Sequence, residues 1–230
     1  MKPELSLVIP ARNEEGNIET VVRGTTKVLD DARITHELIV VDDGSTDNTA
    51  AVVRTMMQAF PTLKLVSYPN GRGYGAAIRA GFDTAKGNIV GWMDGDNQTD
   101  PVIVADLFKV LQKSGCAMAK AVRVVRNESL WRRVQSSMFN LVFRALFGFY
   151  CRDVNAKPKL LRRSTERSLH IISSDWFIDA EIVIKLSRAK APVLEMPIEW
   201  NERQRGSSSV NFSTGFEFLK NMGIYRFGRK

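Results

Sequence analysis

The chain has 230 residues, of which 44% are hydrophobic and 25% are charged, and this composition excludes a disordered, collagen-like or disulfide-stapled protein. Its two cysteines favour a reducing, cytoplasmic compartment, and no run of about 20 apolar residues predicts a membrane-spanning helix. The formal net charge of +8 favours an anionic partner such as a phosphate compound, a nucleic acid or an acidic membrane surface.

Short apolar runs alternate with helical patterns up to about residue 100. The pattern predicts strands at residues 5–9, 37–41, 63–66 and 89–93, and helices at residues 14–29, 47–60 and 76–85. Apolar strands that alternate with amphipathic helices are typical of an α/β fold with a mostly parallel sheet. In such a sheet, ligands bind beyond the carboxyl ends of the strands.

The second half of the chain is less regular. It predicts helices at residues 101–112, 131–150 and 179–186, an edge strand at 117–122 and a further strand at 193–198. The 131–150 helix is apolar over most of its circumference, which is expected of a helix that is buried in a core or dimer interface, or that lies on lipid. We divide the chain into one domain, residues 1–206, and a basic amphipathic tail, residues 207–230. This tail either lies on an anionic membrane or docks on its own domain.

Two aspartates end the fourth predicted strand. Asp94 and Asp96 are separated by Gly95, so both carboxylates can reach one hard cation that also binds phosphates, and Gln98 adds a neutral oxygen. An ordinary turn rich in Asp and Asn would have the same composition. The motif therefore indicates either a divalent-metal site or a simple turn at a strand end.

Two further motifs follow the second and third predicted strands. Asp43 can accept a hydrogen bond from a nucleobase or a ribose, and Ser45 or Asp47 can cap the next helix, although capping alone would also explain the aspartates. Residues 70–75 (NGRGYG) differ from the Walker and dinucleotide motifs, yet their glycines allow backbone amides to approach an anion at a helix start. Each motif is ambiguous by itself.

In their order along the chain, these motifs resemble those of the family 2 glycosyltransferases of GT-A fold. Within that family they are most similar to the dolichyl- and polyprenyl-phosphate sugar transferases, close to the dolichol-phosphate mannose synthases. The matching segments are residues 10–15 (PARNEE), 41–47 (VDDGSTD), 71–75 with Gly81, 94–98 (DGDNQ) with Asp100 and Pro101, 153–163 (DVNAKPKLLRR), 195–198 and 203–208. The resemblance covers nearly the whole chain, and it implies a mostly parallel central sheet with flanking helices.

The resemblance also implies roles for particular residues. Contacts to the donor nucleotide fall at Pro10, Arg12, Glu14, Val41 and Asp43. Contacts to a divalent metal and the diphosphate fall at Asp94, Gly95, Asp96 and Gln98, with Arg203 as a further diphosphate ligand. Asp94, Asp96 and Arg203 then form the catalytic group. The acceptor phosphate is assigned to Arg123, Arg132, Arg133 and Lys159.

Three positions depart from the family pattern. Arg12 replaces the usual tyrosine of the first motif, and Ser209 replaces a lysine whose charge Arg205 could supply instead. Residues 156–159 read Ala-Lys-Pro-Lys where the family more often has Gly-Phe-Arg or Gly-Phe-Lys. We expect these differences to affect stacking on the base or ribose, phosphate binding, and donor or acceptor preference.

The implied reaction is an inverting transfer of a sugar from a nucleotide diphosphate sugar, of the GDP-mannose or UDP-glucose type, to a polyprenyl or dolichyl phosphate. Mg²⁺ or Mn²⁺ is the implied cofactor. A phosphate monoester is largely a dianion at neutral pH, so as an acceptor it needs no general base. A hydroxyl acceptor would need one, and the candidates are Asp153, Asp179 and Glu181.

Other interpretations stay open. A glycosyltransferase that acts on a soluble or saccharide acceptor in cell-envelope polysaccharide synthesis would need the same donor site. A nucleotidylyltransferase is disfavoured because residues 10–15 are not a glycine-rich loop, and no nucleic-acid partner is expected because no such motif occurs. We expect a peripheral protein at the cytoplasmic face of the membrane, for which an integral-membrane partner subunit would be one means of anchoring.

Overall fold

The computed structural model of the chain describes residues 2–126, 141, 143–148, 151–200 and 222–226. Within these residues, a seven-stranded sheet has the order β3-β2-β1-β4-β6-β5-β7. Its strands are β1 (Leu5–Ala11), β2 (His36–Asp43), β3 (Leu63–Tyr68), β4 (Ile89–Trp92), β5 (Met118–Arg126), β6 (Lys159–Arg162) and β7 (Val193–Trp200). The main helices are α1 (Ile18–Asp31), α2 (Thr49–Met56), α3 (Tyr74–Thr84), α4 (Val102–Lys113), α5 (Arg163–Leu169) and α6 (Ile178–Arg188).

The sheet is mostly parallel, as the sequence predicts. Only β6 runs antiparallel to its neighbours, β4 and β5, within the described chain. The predicted strands and helices of the first half are confirmed, with shifts of a few residues at their ends. The strand predicted at residues 117–122 is present as β5, but the prediction that it lies at the edge of the sheet is wrong, because β5 pairs with both β6 and β7. Strand β6 is not predicted at all, since its four residues, Lys-Leu-Leu-Arg, show no strand periodicity.

Helices cover both faces of the sheet, so apolar side chains pack in two layers. Helices α1, α2 and α4 cover one face with side chains such as Leu29 and Leu107. Helices α3 and α6 cover the other face with side chains such as Phe82 and Ile182. Every residue of β1 and β2 is buried, as is usual for parallel strands that are covered on both sides.

Two short helical segments, residues 143–147 and 222–226, pack on the face that α3 and α6 cover. Phe143 is buried there, and its ring centroid lies 5.0 Å from that of Phe147. The Phe147 ring in turn lies 6.5 Å from the ring of Tyr225. The described part of the carboxyl-terminal tail therefore docks on its own domain.

Most of the predicted 131–150 helix and most of the 207–230 tail lie outside the described residues. Where the structure describes the predicted helix, at residues 141 and 143–147, it is helical. None of the helices in the described ranges combines the length and the apolar character that a bilayer span requires.

A buried carboxylate joins several segments at the amino-terminal edge of the sheet. Glu37 on β2 accepts hydrogen bonds from the Ser6 hydroxyl (2.5 Å), the Lys86 backbone amide (2.6 Å) and the Lys64 ammonium (2.5 Å). Burial alone would raise the pKa of Glu37, but the bonds from Lys64, Ser6 and Lys86 outweigh it and hold the pKa below its usual value. Such a carboxyl group stabilises the fold above its unfolded pKa, and this contribution is lost as the pH falls through the folded pKa.

We therefore expect Glu37→Gln to make the free energy of unfolding less dependent on pH in the acidic range. The wild-type chain should lose stability more steeply than the variant between about pH 5 and about pH 3, where an unfolded glutamate titrates. At about pH 7 the variant should be less stable by roughly 1–3 kcal/mol, because the groups around Glu37 lose a charged partner. Urea unfolding across this pH range measures both effects.

The matched control is Glu19→Gln, which removes a carboxylate from an exposed pair with Arg23. An exposed pair contributes at most about 1 kcal/mol, so this variant should follow the wild-type profile. Equal acid slopes in the wild type and in Glu37→Gln would contradict the stabilising role of Glu37.

Candidate active site

The carboxyl ends of β1, β2 and β4 meet at one edge of the sheet. Pro10 on β1 pairs with Val41 on β2, and Val8 on β1 pairs with Trp92 at the end of β4. Gly95, just beyond β4, lies so close to β1 that a Cβ there would be 3.4 Å from the Pro10 carbonyl oxygen. The structure therefore brings the first, second and fourth motifs to the same edge.

Asp94 is held on both sides by neighbouring side chains. The Tyr74 hydroxyl donates to Asp94 Oδ1 at 2.9 Å, and the Lys157 ammonium lies 3.4 Å from Asp94 Oδ2. Asp96 Oδ1 accepts a hydrogen bond from the Gln98 backbone amide at 3.2 Å. Asp94, Asp96 and Gln98 are all partly exposed, so a ligand at the edge of the sheet can reach them.

These oxygens fit a hard divalent cation. Carboxylate and amide oxygens suit Mg²⁺ and Mn²⁺, and Mg²⁺ in particular is often bound by one or two carboxylates together with substrate phosphates and water. Over the residues that the structure describes, no group of three or more His, Cys, Asp or Glu side chains could enclose a metal. A cation at this edge would therefore depend on Asp94 and Asp96, with Gln98 beside them, and on oxygens that a ligand brings.

Aromatic rings lie beside the Lys157 ammonium. Tyr74 and Trp176 stack with their ring centroids 4.1 Å apart, and the ammonium lies 4.9 Å and 5.6 Å from these two centroids. Burial, together with the charges of Asp94 and Asp179, raises the pKa of Tyr74. The Tyr74 hydroxyl therefore stays protonated and donates its hydrogen bond to Asp94.

A row of alternating charges extends inward from Asp94. Lys157 Nζ also lies 3.6 Å from Asp179 Oδ2, and Asp179 Oδ1 accepts a hydrogen bond from Lys159. Burial alone would lower the pKa of Lys157, but the charges of Asp94 and Asp179 outweigh it and raise the pKa. At Lys159 burial dominates, and it lowers the pKa to about 8 despite the opposing charge of Asp179.

Lys159 does not lie where a ligand of the acceptor phosphate was expected. Its side chain is fully buried, bonded to Asp179 and 5.1 Å from the ring centroid of Trp92. The ammonium is therefore not exposed to a phosphate at the edge of the sheet. The lysine that this segment brings to Asp94 is Lys157, two residues earlier.

The glycine-rich loop before α3 already holds an anion, the carboxylate of Asp43. Its two oxygens accept hydrogen bonds from the backbone amides of Arg72 (2.6 Å) and Gly73 (2.9 Å). Gly73 has a φ of +100°, and a Cβ there would be 2.4 Å from the Ser174 carbonyl oxygen. The sequence predicts that the loop amides approach the anion of a ligand, but the amides of Arg72 and Gly73 bind the carboxylate of Asp43 instead. The absence of a side chain at Gly73 allows the 171–177 loop to pack closely against it.

Arg12 and Glu14 lie in the segment after β1, which contacts the start of α2 and the glycine-rich loop. The Glu14 backbone amide donates to Thr49 Oγ1 at 2.8 Å, which ties the segment after β1 to the start of α2. Arg12 is exposed, and a Cβ on Gly71 would be 3.0 Å from Arg12 Nη1 and 3.3 Å from the Asp43 carbonyl oxygen. Arg12 therefore lies beside the end of β2, whereas the side chain of Val41, also assigned to the nucleotide, is fully buried in the apolar core.

Arg123 is paired within the protein. Its guanidinium donates from Nε to Asp153 Oδ2 and from Nη2 to Asp153 Oδ1, each at 2.7 Å. Asp153 is buried, and this two-point contact fixes the orientation of the guanidinium plane. The other arginines considered for phosphate binding, Arg132, Arg133, Arg203 and Arg205, lie outside the described residues, as does Ser209, which replaces the family's lysine.

The three carboxylates considered as general bases are all engaged. Asp153 and Asp179 form the ion pairs described above. Glu181 is fully buried and accepts hydrogen bonds from the backbone amides of residues 172 and 173 and from Lys185. Burial alone would raise the pKa of Glu181, but these bonds outweigh it and lower the pKa. Each of these carboxylates holds the fold together around the site.

Tyr74, Lys157 and Trp176 are not among the site residues that the sequence predicts. Tyr74 lies within the glycine-rich motif, and Lys157 lies within the segment that departs from the family pattern, so both were marked by a sequence signal. Trp176 belongs to no motif, and only the packing of the 171–177 loop against α3 brings it to Tyr74.

Comparison with known families and proteins agrees with these observations. Residues 6–183 match Glycosyl transferase family 2. The chain is 26% identical to a dolichyl-phosphate beta-glucosyltransferase of Dictyostelium discoideum, over 97% of this chain and 74% of that protein. It is 29% identical to the dodecaprenyl-phosphate galacturonate synthase of Rhizobium johnstonii, over 94% of this chain and 64% of that protein. It is also 30% identical to a dolichyl-phosphate beta-glucosyltransferase of Trichomonas vaginalis, over 86% of this chain and 66% of that protein.

Solved structures have the same fold. Glucosyl-3-phosphoglycerate synthase from Mycobacterium tuberculosis, in complex with Mn²⁺, UDP and phosphoglyceric acid, superposes with a TM-score of 0.78 over 99% of this chain and 80% of that chain, at 20% identity. The complex of that synthase with Mg²⁺ and UDP has a TM-score of 0.77, also at 20% identity and over the same shares of the two chains. At this identity the similarity concerns the fold alone. Because the family match covers most of the chain, the chain belongs to glycosyltransferase family 2, with the GT-A fold.

Proposed function

We propose that the chain transfers a sugar from a nucleotide diphosphate sugar to a polyprenyl phosphate, with inversion at the anomeric carbon. The observation that carries this proposal is the pair of partly exposed carboxylates, Asp94 and Asp96, at the edge of the sheet next to Pro10 and Val41. Support for the acceptor comes from the curated relatives, which are named for dolichyl phosphate and dodecaprenyl phosphate.

The buried carboxylates near the site are already paired with lysines or backbone amides, and this favours a phosphate acceptor over a hydroxyl acceptor. A phosphate dianion can attack without losing a proton, whereas a hydroxyl needs a nearby base. Asp179 is shared by two lysines, and Glu181 is saturated by backbone amides and Lys185. We assign the acceptor phosphate to Arg132 and Arg133, together with Arg123, whose guanidinium Asp153 orients.

The donor would bind along the edge from β2 to β4. We assign the nucleoside to Pro10, Arg12, Glu14, Val41 and Asp43, where the carboxylate of Asp43 keeps lone pairs beyond those that the loop amides use. Mg²⁺ or Mn²⁺ would be held by Asp94, Asp96 and Gln98, and it would supply positive charge that offsets the charge of the leaving diphosphate. Arg203 is assigned a similar role as a fixed cation.

A polyprenyl phosphate acceptor requires the enzyme to reach a membrane surface. Leu141 is 68% exposed, whereas Phe143, on the opposite side of the same helical segment, is buried. The curated relatives named for dolichyl phosphate and dodecaprenyl phosphate support peripheral association at the cytoplasmic face of a membrane, and the exposed Leu141 is compatible with it. An integral-membrane partner subunit is the alternative means of anchoring.

The test is a transfer assay with labelled UDP- and GDP-sugars. Acceptors are a polyprenyl phosphate in detergent micelles and, as alternatives, glycerol 3-phosphate and an oligosaccharide. We expect label to enter the organic phase in the presence of Mn²⁺ or Mg²⁺, to stay in the aqueous phase in EDTA, and to have the inverted anomeric configuration by NMR. Label that reaches only the soluble acceptors would overturn the lipid assignment in favour of a soluble or saccharide acceptor.

A thermal-shift series identifies the base of the donor. A ligand that binds only the folded chain raises its unfolding temperature, so UDP and GDP should differ clearly when Mn²⁺ is present. Unfolding temperatures that respond to neither nucleotide would argue against the proposed donor site.

Asp96→Ala should lower the transfer rate by about a hundredfold or more, because the site loses one of the two carboxylates that hold positive charge at the diphosphate. Asp96 is partly exposed, so the unfolding temperature should hardly change. The matched control is Asp106→Ala on the exposed face of α4, which should keep the wild-type rate. A rate close to wild type in Asp96→Ala would refute the metal assignment.

A further inference from the structure

Lys157 is a cation placed at a proposed metal ligand, in the segment where this chain departs from the family pattern. Its ammonium lies 3.4 Å from Asp94 Oδ2. We propose that the positive charge of Lys157 makes binding of a divalent ion at Asp94 depend on the nucleotide diphosphate. This inference rests on the proposed function and adds an order of binding to it.

The surroundings of Lys157 keep its charge close to Asp94. The side chain is only 8% exposed, and the stacked rings of Tyr74 and Trp176 lie beside it. On the inner side, Asp179 Oδ2 lies 3.6 Å from the ammonium, and Asp179 is itself held by Lys159. The ammonium is therefore confined between two carboxylates, and Asp94 is the one that a ligand at the edge can reach.

The charges in this row balance without any metal. Asp94, Lys157, Asp179 and Lys159 alternate in sign, so each carboxylate has a cation beside it. A divalent ion that binds at Asp94 alone would place two further positive charges next to the Lys157 ammonium, which repels them. A nucleoside diphosphate that arrives with the ion brings negative charge and removes this repulsion. The ion and the nucleotide should therefore bind far better together than separately.

A purely orienting role for Lys157 would have the opposite consequence. Tyr74 orients Asp94 through Oδ1 without adding charge, so its contribution can be separated from that of Lys157. If Lys157 only held Asp94 in position, its removal would weaken the binding of the ion, with or without the nucleotide. If Lys157 acts through its charge, its removal strengthens the binding of the ion alone.

The experiment measures Mn²⁺ binding to the full chain from the electron paramagnetic resonance signal of free Mn²⁺, with and without UDP. For Lys157→Met we expect Mn²⁺ alone to bind roughly tenfold more tightly than to the wild type, because a like charge has been removed nearby. The factor by which UDP improves Mn²⁺ binding should fall by about the same amount. The coupling is reciprocal, so calorimetry of UDP binding with and without Mn²⁺ must give the same factor.

Further variants separate charge from folding. Lys157→Gln also removes the charge but keeps a polar head for Asp94, so it should behave like Lys157→Met even if the apolar variant is unstable. Lys157→Arg keeps the charge and should restore wild-type coupling. Tyr74→Phe removes the hydrogen bond to Asp94 without changing charge, and it should not tighten Mn²⁺ binding.

The matched control for net charge is Lys185→Met, which removes an ammonium from the pair with Glu181 on α6, away from Asp94. It should leave Mn²⁺ binding unchanged. Mn²⁺ affinity that stays equal or weakens in both Lys157→Met and Lys157→Gln would overturn this inference alone. A wild-type chain that binds no Mn²⁺ even with UDP would instead overturn the proposed donor site, and this inference with it.

Discussion

The pairing of Asp179 with two lysines is the interaction on which the site depends. Asp179 on α6 is buried, and it contacts Lys159 at the start of β6 and Lys157 just before that strand. Buried charges are tolerated only when they are paired, so these three groups must stay together in the folded chain. This requirement joins α6 to the middle of the sheet and directs Lys157 toward Asp94.

Carboxylates at the two edges of the sheet have different roles. At the amino-terminal edge, Glu37 joins β1, β2, β3 and the segment after α3 through hydrogen bonds, one of which comes from the Lys64 ammonium. At the carboxyl edge, Asp94 and Asp96 stay partly exposed. The apolar layers on the two faces of the sheet lie between these edges. The fold thus separates a carboxylate that contributes stability from those that are available to a ligand.

The glycine-rich loop illustrates how a familiar motif can serve a different purpose. Glycines before a helix suggested a cradle for phosphate, yet two of the loop amides bind the carboxylate of Asp43, and Gly73 lies against the carbonyl of Ser174. Asp43 thereby links the end of β2 to the start of α3, where Tyr74 begins the helix and donates to Asp94. A nucleoside contact at Asp43 would use a carboxylate that is already held in place.

Local patterns in the sequence determined the parallel part of the sheet, the motifs at the ends of its strands and the family. Apolar periodicity, turn chemistry and motif order are properties of residues that are close together along the chain. Tertiary structure decided the rest: the antiparallel strand β6, the burial of Lys159, and the meeting of Tyr74, Lys157 and Trp176 beside Asp94. These features depend on which distant segments pack together and on which buried charges find partners. Patterns of residues that are close together along the chain contain no information about this long-range packing and pairing.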